Sequence, residues 1–428
     1  MTWNHRYQVK SYLRSAIWVV PLIALPLEQV VWALVYKLDQ WLAWKGLALG
    51  VTGAREMFNA VTTLTLSCIV FTFGSLLVAI QVAGGQYTPR IIATTLLRDN
   101  VIRYTVGLFV FTFLFAVKAA DRMETTVNQL AAFVVGLLGL ICVVAFLFLI
   151  DYAARMLRPV SLVGRVGEYG LKVIKSVYPE QSKEAQNIAE SQRSPGPVER
   201  IILHHGKSAI VIAVNVEMLV AEAQKANCVI EFATQVGAFV ESGEPLFLLH
   251  GAADAIDEQK LWASVVLGSE RTMEQDPLFG FRILVDIAIK ALSHAINDPT
   301  TAVLAMDQLH RLLRSAGKRN LRADQIVDPA GKLRVIFRTP NWEDFVHLAF
   351  TEIRFYGAAN MQVARRLRAM IANLTDTLPA QRHSALRKEL ELLDRTIEKL
   401  YSLPEDLSLA RIPDSQGLGV SSHSEEVS

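Results

Sequence analysis

Residues 293–302 read SHAINDPTTA, and they combine a helix-start signal with several groups that could bind a ligand. Aspartate followed by proline is typical of a helix start, because the carboxylate accepts backbone N–H groups and proline fits the first turn. Asp276-Pro277 repeats this pattern one helix earlier. The cap needs only Asp298 and Pro299, so neighbouring polar groups are free for a ligand or another subunit. These candidate contact residues are Asn297, Asp298, Thr300 and Thr301.

Arg282, Asp286 and Lys290 lie four residues apart and predict one charged stripe on the preceding helix. Such a stripe is either a solvated ladder of i,i+4 ion pairs or a contact surface that includes Arg282 and Asp286. Asp276, Asp286 and Asp298 together could also suggest a metal site. Carboxylates that open helices are far more often caps, so we predict no metal.

Patterns typical of enzymes are not found in the sequence. Gly206-Lys207-Ser208 resembles the end of a phosphate-binding loop, but Ile201 stands where the motif needs glycine. His204 and His205 are adjacent in a strand-like segment, so their side chains point to opposite faces. With no nucleophile elbow or metal-ligand spacing, we expect neither an enzyme nor a bound cofactor.

The composition indicates a membrane protein with a water-soluble half. Of 428 residues, 52% are hydrophobic and 20% are charged, and the mean hydropathy is +0.30. The apolar excess lies in the first 150 residues, and the remainder has an ordinary globular composition. A net charge of +2 gives no basic field for nucleic acid, and three cysteines give no disulfide framework.

Four apolar stretches approach the roughly 20 residues that span a bilayer as a helix. They are Ser15–Tyr36, Val61–Ala83, Tyr104–Ala120 and Val127–Ile150. Arginine and lysine are more frequent before the first stretch, between the second and third, and after the fourth than in the opposite flanks. The positive-inside rule therefore predicts that both termini and the C-terminal half are cytoplasmic.

Polar residues inside these stretches are candidates for an ion or pore site. Glu28 lies within the first stretch, where a carboxylate is costly and often functional. Alternatively, Pro26 starts a new helical segment and Glu28 lies in its first turn near water. In the second stretch, Ser67, Gly74 and Gln81 recur at helical spacing, as does a longer set of small and polar residues. That set is Thr65, Cys68, Thr72, Ser75 and Ala79.

Small and hydroxylated residues at helical spacing fit either close helix packing or a pore lining. The candidate pore or ion residues are therefore Glu28, Thr65, Thr72, Ser75 and Gln81. The second stretch is followed by GGQYTPRIIATTLLRDNVIRY, which predicts a short amphipathic segment linking the two halves. Its candidate coupling residues are Gln86, Arg90 and Arg98, of which the arginines could meet lipid phosphates.

The predicted fold class is a four-helix transmembrane half followed by an α+β cytoplasmic domain. We expect a transmembrane domain over 1–150, a connecting helical segment and loop over 151–197, and a β-rich subdomain over 198–252. A mostly helical subdomain then covers 253–401, and the polar residues 402–428 form a disordered tail. GAFVESGEPLF, beginning at Gly237, resembles a hairpin of small barrel-sandwich domains of the lipoyl type, which predicts a barrel-like or sandwich-like β subdomain.

Nearly the whole chain resembles an uncharacterised bacterial family of predicted membrane proteins that carry a domain of unknown function, numbered 2254. Four spans, GGQYTPR after the second span, and RTMEQDPLFGFRILVDIAIKALSHAINDPTTA carry the resemblance, with INDPTTA its most specific part. The resemblance implies a fold and a bacterial inner-membrane location, and it implies no particular activity.

Two functions fit these observations. Four spans are few for a monomeric transporter, so we predict a homo-oligomeric channel or transporter for an unknown ion or small ligand, regulated by its cytoplasmic domain. The alternative is a membrane-anchored ligand sensor or scaffold without a transport pathway.

Overall fold

The computed structural model describes residues 2–42, 48–86, 99–123, 126–179, 195–251, 255–321 and 324–419. They form two compact units. The membrane unit contains Ser11–Gly85 and the later chain as far as Leu162. The globular unit contains the N-terminal residues to Lys10 and the chain from Val163 onward.

The first five helices in the described chain are α1 (Trp3–Ser15), α2 (Val19–Leu42), α3 (Val51–Gln86), α4 (Asn100–Asp121) and α5 (Gln129–Met156). Within the described residues, α2 to α5 are long and apolar enough to cross a membrane, which confirms four apolar helices. Their bounds differ from the prediction, because helical hydrogen bonding continues past the apolar stretch. The 36 residues of α3 measure about 54 Å, well beyond a hydrocarbon core of about 30 Å.

Helix α4 is the centre of the membrane unit. Half of the residues in its most apolar 18-residue stretch are buried, against 28% in α3 and fewer in α2 and α5. Glycines allow the close helix contacts. A Cβ on Gly107 of α4 would lie 2.7 Å from Val20 Cγ1, and one on Gly139 of α5 would lie 2.8 Å from Val61 Cγ2. Small residues at these crossings let the helix backbones approach, which is how membrane helices gain packing energy.

In the described part of the globular unit, strands form a five-stranded and a three-stranded sheet. The strands are β1 (Val198–Leu203), β2 (Ala209–Val214), β3 (Val229–Phe232), β4 (Phe239–Val240), β5 (Pro245–His250), β6 (Val265–Gly268), β7 (Gln325–Val327) and β8 (Leu333–Phe337). The sheet orders are β1-β5-β3-β8-β7 and β4-β2-β6. Only the β3–β8 pairing is parallel among them.

The predicted small barrel is not confirmed, because no closed barrel forms among the described strands. β4 pairs with β2 and β5 pairs with β1 and β3, so the expected hairpin instead connects two sheets. Gly237, just before β4, has φ +85°. A Cβ there would collide with the Asp276 carboxylate and the Arg271 guanidinium, so both conformation and space require glycine.

The remaining helices are α6 (Pro159–Val177), α7 (Val216–Ala226), α8 (Glu258–Ala263), α9 (Pro277–Ala291), α10 (Pro299–Gly317), α11 (Trp342–Gly357), α12 (Met361–Thr377), α13 (His383–Leu400) and α14 (Pro404–Ala410). Helices α9 to α13 pack as one array. Phe281 of α9 and Phe345 of α11 are fully buried, with ring centroids 5.0 Å apart.

The first turns of α1 pack on the three-stranded sheet of the globular unit. Trp3 and Tyr7, together with Ile210, pack against the buried Ile212, Ala213 and Val266. Asn4 Nδ2 donates to the Trp262 carbonyl at 3.4 Å, and Gln8 Nε2 donates to the Leu267 carbonyl at 3.3 Å. The start of α1, although it precedes the membrane helices in sequence, therefore packs in the globular unit.

The C-terminal tail differs from the sequence prediction of disorder over 402–428. Residues 402–419 are ordered rather than disordered, and 420–428 lie outside the described residues. The Arg365 side chain of α12 is fully buried and donates to the carbonyls of Ile412 and Gly419 at 3.0 and 3.2 Å. Burial raises the pKa of Asp414, but backbone N–H donors from Gly419 and Gly417 bring it below its usual range. The polar composition suggested disorder, but Arg365 and Asp414 hold the tail in place through hydrogen bonds to its backbone.

We expect a chain ending at Ala410 to be less stable than one ending at Gly419. The shorter chain leaves the buried Arg365 guanidinium without its carbonyl acceptors, which costs about 2 kcal/mol. Thermal unfolding of both purified chains measures this. Equal melting temperatures would contradict the role given to the tail.

Candidate functional site

Helix α3 has two different faces, and the buried one contains two of the predicted pore residues. Thr65 and Thr72 are 0% and 4% exposed within the membrane unit. Their hydroxyls donate to carbonyls one turn earlier, at Val61 (2.8 Å) and Cys68 (2.7 Å). This face packs inside the unit along a continuous stripe of small and apolar side chains. Its members include Ala54, Phe58, Val61, Cys68, Ala79 and Ala83.

The opposite face of α3 is exposed and carries polar residues and glycines, interrupted by the apolar Val70 and Leu77. At about 100° per residue its members fall within an arc of about 100°. They are Thr52, Glu56, Asn59, Thr63, Ser67, Gly74, Gln81 and Gly85, and we call them the polar face of α3. A Cβ on Gly74 would meet nothing within 4 Å, so the described contacts do not explain a glycine there. Glycine within a helix costs about 1 kcal/mol relative to alanine.

The other spans differ sharply from α3. In the described residues of α5, every exposed side chain between Ala131 and Ile150 is apolar. These include Phe133, Leu137, Leu140, Val144 and Leu147. On α2 the exposed side chains between Val19 and Tyr36 are apolar except Gln29, which accepts a hydrogen bond from Lys118 Nζ. A lipid-facing surface is expected on α2 and α5, and the polar face of α3 does not have that chemistry.

Glu28 pairs with Lys118 in the membrane unit. The Glu28 side chain is 3% exposed, and its Oε1 lies 3.3 Å from Nζ of Lys118 on α4. Lys118 also contacts Gln29 and lies 5.7 Å from the centre of the Trp32 ring. All three partners of the ammonium are on α2, so the pair connects α2 to α4. The alternative in which Pro26 starts a new segment and Glu28 lies near water does not fit this burial, because Pro26 lies inside α2.

A second polar cluster lies where α4 begins and α5 ends. Asp99 caps α4 by accepting from the Val101 and Ile102 amides at 2.9 and 3.3 Å. Its other oxygen accepts the Tyr152 hydroxyl at 2.6 Å. Arg103 is 9% exposed and donates to the Leu13 carbonyl at 2.9 Å. These contacts connect α1, α4 and α5, and sequence reasoning missed them because they join residues far apart in the chain.

In the globular unit, Arg282 connects two helices. Its guanidinium donates to Asp286 Oδ1 at 2.6 Å and forms a two-point contact with Glu352 of α11, with one donor at 2.9 Å. The hydrogen bonds that Arg282 donates to Glu352 raise the pKa of Arg282 and lower the pKa of Glu352. The charged stripe is therefore not only a solvated ladder, because its arginine crosses from α9 to α11.

The loop between α9 and α10 corrects one part of the cap interpretation. Asp298 caps α10 by accepting from the Thr301 amide at 3.0 Å and from the Thr301 hydroxyl at 2.5 Å. Thr301 is 5% exposed and thus belongs to the cap, contrary to the sequence expectation. Asn297 has φ +48°, a left-handed conformation that asparagine tolerates better than most residues. Asn297 and Thr300 are exposed.

Some predicted site residues cannot be placed. Arg90 and Arg98 lie outside the described residues, and of Gln86 only the backbone at the end of α3 is described. Ser75 and Gln81 are exposed on α3, and their side chains point about 120° apart around the helix axis. Neither belongs to the Glu28–Lys118 pair. Within the described residues, no group of three or more His, Cys, Asp or Glu could hold a metal ion. The structure does not gather the predicted residues into one site.

Comparison with known proteins places the chain among membrane proteins. The model of a family described as predicted membrane protein (DUF2254) matches residues 14–373. Uncharacterized proteins of Mycobacterium tuberculosis and Mycobacterium bovis are each 24% identical over 423 residues, covering 95% of this chain and 81% of theirs. No solved structure matches the chain.

We expect Thr301→Val to lower the stability of the protein by about 1 kcal/mol, because Asp298 loses a hydrogen-bond donor. Thr300→Val is the matched control, since Thr300 is exposed and should change stability little. At Asn297, just before the cap residue Asp298, Asn297→Ala should lower stability by about 1 kcal/mol and Asn297→Gly by much less. Chemical denaturation measures all four variants, and an unchanged stability of Thr301→Val would refute the role given to the Thr301 hydroxyl in the cap.

We expect Glu28→Gln to destabilise the membrane unit by about 3 kcal/mol, because it leaves a largely buried ammonium without its counter-charge. The double variant Glu28→Gln with Lys118→Met removes both charges and should recover most of that loss. Thermal unfolding in detergent micelles compares the three proteins. A double variant no more stable than Glu28→Gln would show that the two side chains do not interact.

Proposed function

This chain belongs to the DUF2254 family of predicted membrane proteins, and from that premise we propose that it is a homo-oligomeric channel or transporter. Copies associate through the polar face of α3 and enclose a pathway for a small ion or hydrophilic ligand. The polar face itself is the observation that supports this proposal.

The physical argument is the cost of polar groups in lipid. A bilayer core offers no hydrogen bonds, so hydroxyl and amide groups there face protein or water. Thr63, Ser67 and Gln81 would otherwise face lipid across most of the span. A second copy of α3, or water between copies, removes this cost. Gly74 then has a purpose, because a missing side chain lets another helix approach.

The lining has consequences for what could pass. Hydroxyl and amide oxygens coordinate ions without fixing a charge, and Glu56 adds one carboxylate towards one end of the same face. Glu28 and Thr65 and Thr72 lie away from this face, so in the proposal they stabilise the span rather than line it. Gln81 belongs to the polar face, whereas Ser75 lies about 80° beyond its edge, beside the buried stripe.

Location and orientation complete the proposal. The excess of Lys and Arg beside the same ends of the spans supports an inner bacterial membrane with both termini cytoplasmic. The globular unit then lies in the cytoplasm, where it would regulate the pathway. Its surface at Asn297 and Thr300 remains a proposed contact for a ligand or a neighbouring subunit.

One observation favours the alternative of a membrane-anchored sensor or scaffold. Ser67 Oγ donates to the Thr63 carbonyl at 2.8 Å, so this part of the face needs no water to satisfy its donor. Copies of α3 could then pack into a closed interface without a pathway. The two functions differ in whether water reaches the polar face.

We expect Ser67→Cys and Gln81→Cys, in a variant with the three native cysteines replaced, to react with a charged, membrane-impermeant thiol reagent in proteoliposomes. Reaction follows from water beside the polar face. The same reagent should reduce potassium or sodium flux through the reconstituted protein.

Val144→Cys is the matched control, because Val144 is equally within a span but lies on the apolar surface of α5. It should not react. Disulfide-linked dimers of Ser67→Cys without reagent access or flux would support the scaffold. A monomer with no flux would defeat both the pathway and the association.

A further inference from the structure

We propose that the membrane unit binds one acyl chain of a phospholipid in a cavity between α3, α4 and α5. The cavity has a volume of about 200 Å³. Its walls include Phe71, Ser75, Ala79, Ile102, Phe146 and Ala153. It lies wholly within the membrane unit, on the side of α3 away from the polar face, so it does not depend on the proposed pathway.

Side-chain size creates this space. α3 and α5 run parallel and approach closely where Val61 meets Gly139. About two turns further along α5, Phe71 and Phe146 stand between the helices with ring centroids 5.4 Å apart. Beyond this aromatic pair the cavity walls include small residues, notably Ala79 and Ala153, among larger apolar side chains. The rings hold the helices apart, and the small residues do not fill the resulting gap.

The chemistry of the walls selects an apolar occupant. The hydroxyls of Thr72 and Ser75 donate to their own helix, at the Cys68 and Thr72 carbonyls (2.7 and 3.0 Å). They therefore offer no donor to water, and the other wall residues are apolar. An apolar cavity of about 150 Å³ can bind a benzene-sized molecule, so this one has room for a segment of hydrocarbon chain.

Two arginines point to a phospholipid rather than a neutral hydrophobic molecule. The cavity extends along α5 to the last turn of the helix, and Arg155 and Arg158 lie at this end of α5. Both are exposed, and Arg155 is already paired with Asp151. Basic side chains at the end of a span meet the phosphate level of the bilayer. An anionic headgroup there would be consistent with a chain reaching into the cavity.

Native mass spectrometry of the protein from nanodiscs of phosphatidylethanolamine and phosphatidylglycerol tests the proposal. Per chain, the wild type should retain one more phospholipid than Ala153→Phe, because the phenylalanine ring fills the cavity. Val144→Phe is the matched control, because Val144 lies about two and a half turns earlier, on the opposite and exposed side of α5. It should retain the wild-type number.

Ser75→Leu is a milder filling variant for the case in which Ala153→Phe does not fold, and it should show a partial loss. Replacing Arg155 and Arg158 by glutamine should weaken phosphatidylglycerol retention by about fivefold per arginine and leave phosphatidylethanolamine unchanged. Equal retention by wild type and both filling variants would overturn the proposal. Retention of only a phosphate-free hydrophobic compound would also overturn it.

Discussion

The constraint on which the structure depends is that a bilayer core cannot hydrogen-bond to a polar side chain. The membrane unit meets it in two ways. Thr65 and Thr72 turn inward and bond to their own helix, and Glu28 meets Lys118 from another helix. The polar face of α3 stays exposed within the described chain, although Ser67 also bonds to its own helix. Association of copies is the cover that its small and polar residues allow.

Pairing of charges also organises the globular unit. Arg282 connects α9 to α11, and the fully buried Arg365 is held by carbonyl oxygens of the tail. Arg271 meets the buried carboxylate of Asp276, against which Gly237 leaves no room for a side chain. Burial raises the pKa of Asp276 despite that arginine. Since the Arg282 and Arg365 contacts join segments distant in the chain, the unit depends on ordered polar contacts as well as on its apolar core.

Much of the architecture could be predicted from the sequence. Long apolar runs specify membrane helices because a helix satisfies its own backbone, and Asp-Pro at 276 and 298 specifies two helix starts. Which face of α3 is buried could not be predicted, since both of its faces carry small and hydroxylated residues. The choice depends on Gly139 meeting Val61, a contact between residues far apart in sequence. The Glu28–Lys118 pair and the ordered tail escaped prediction for the same reason.

An electron cryomicroscopy map of the protein in lipid nanodiscs tests the central claim most directly. The account predicts an oligomer in which Ser67 and Gly74 of neighbouring copies lie around a common axis, with density for water or an ion between them. A monomer, or an oligomer in which Ser67 and Gly74 face lipid while the copies meet through α2 or α5, would contradict the account.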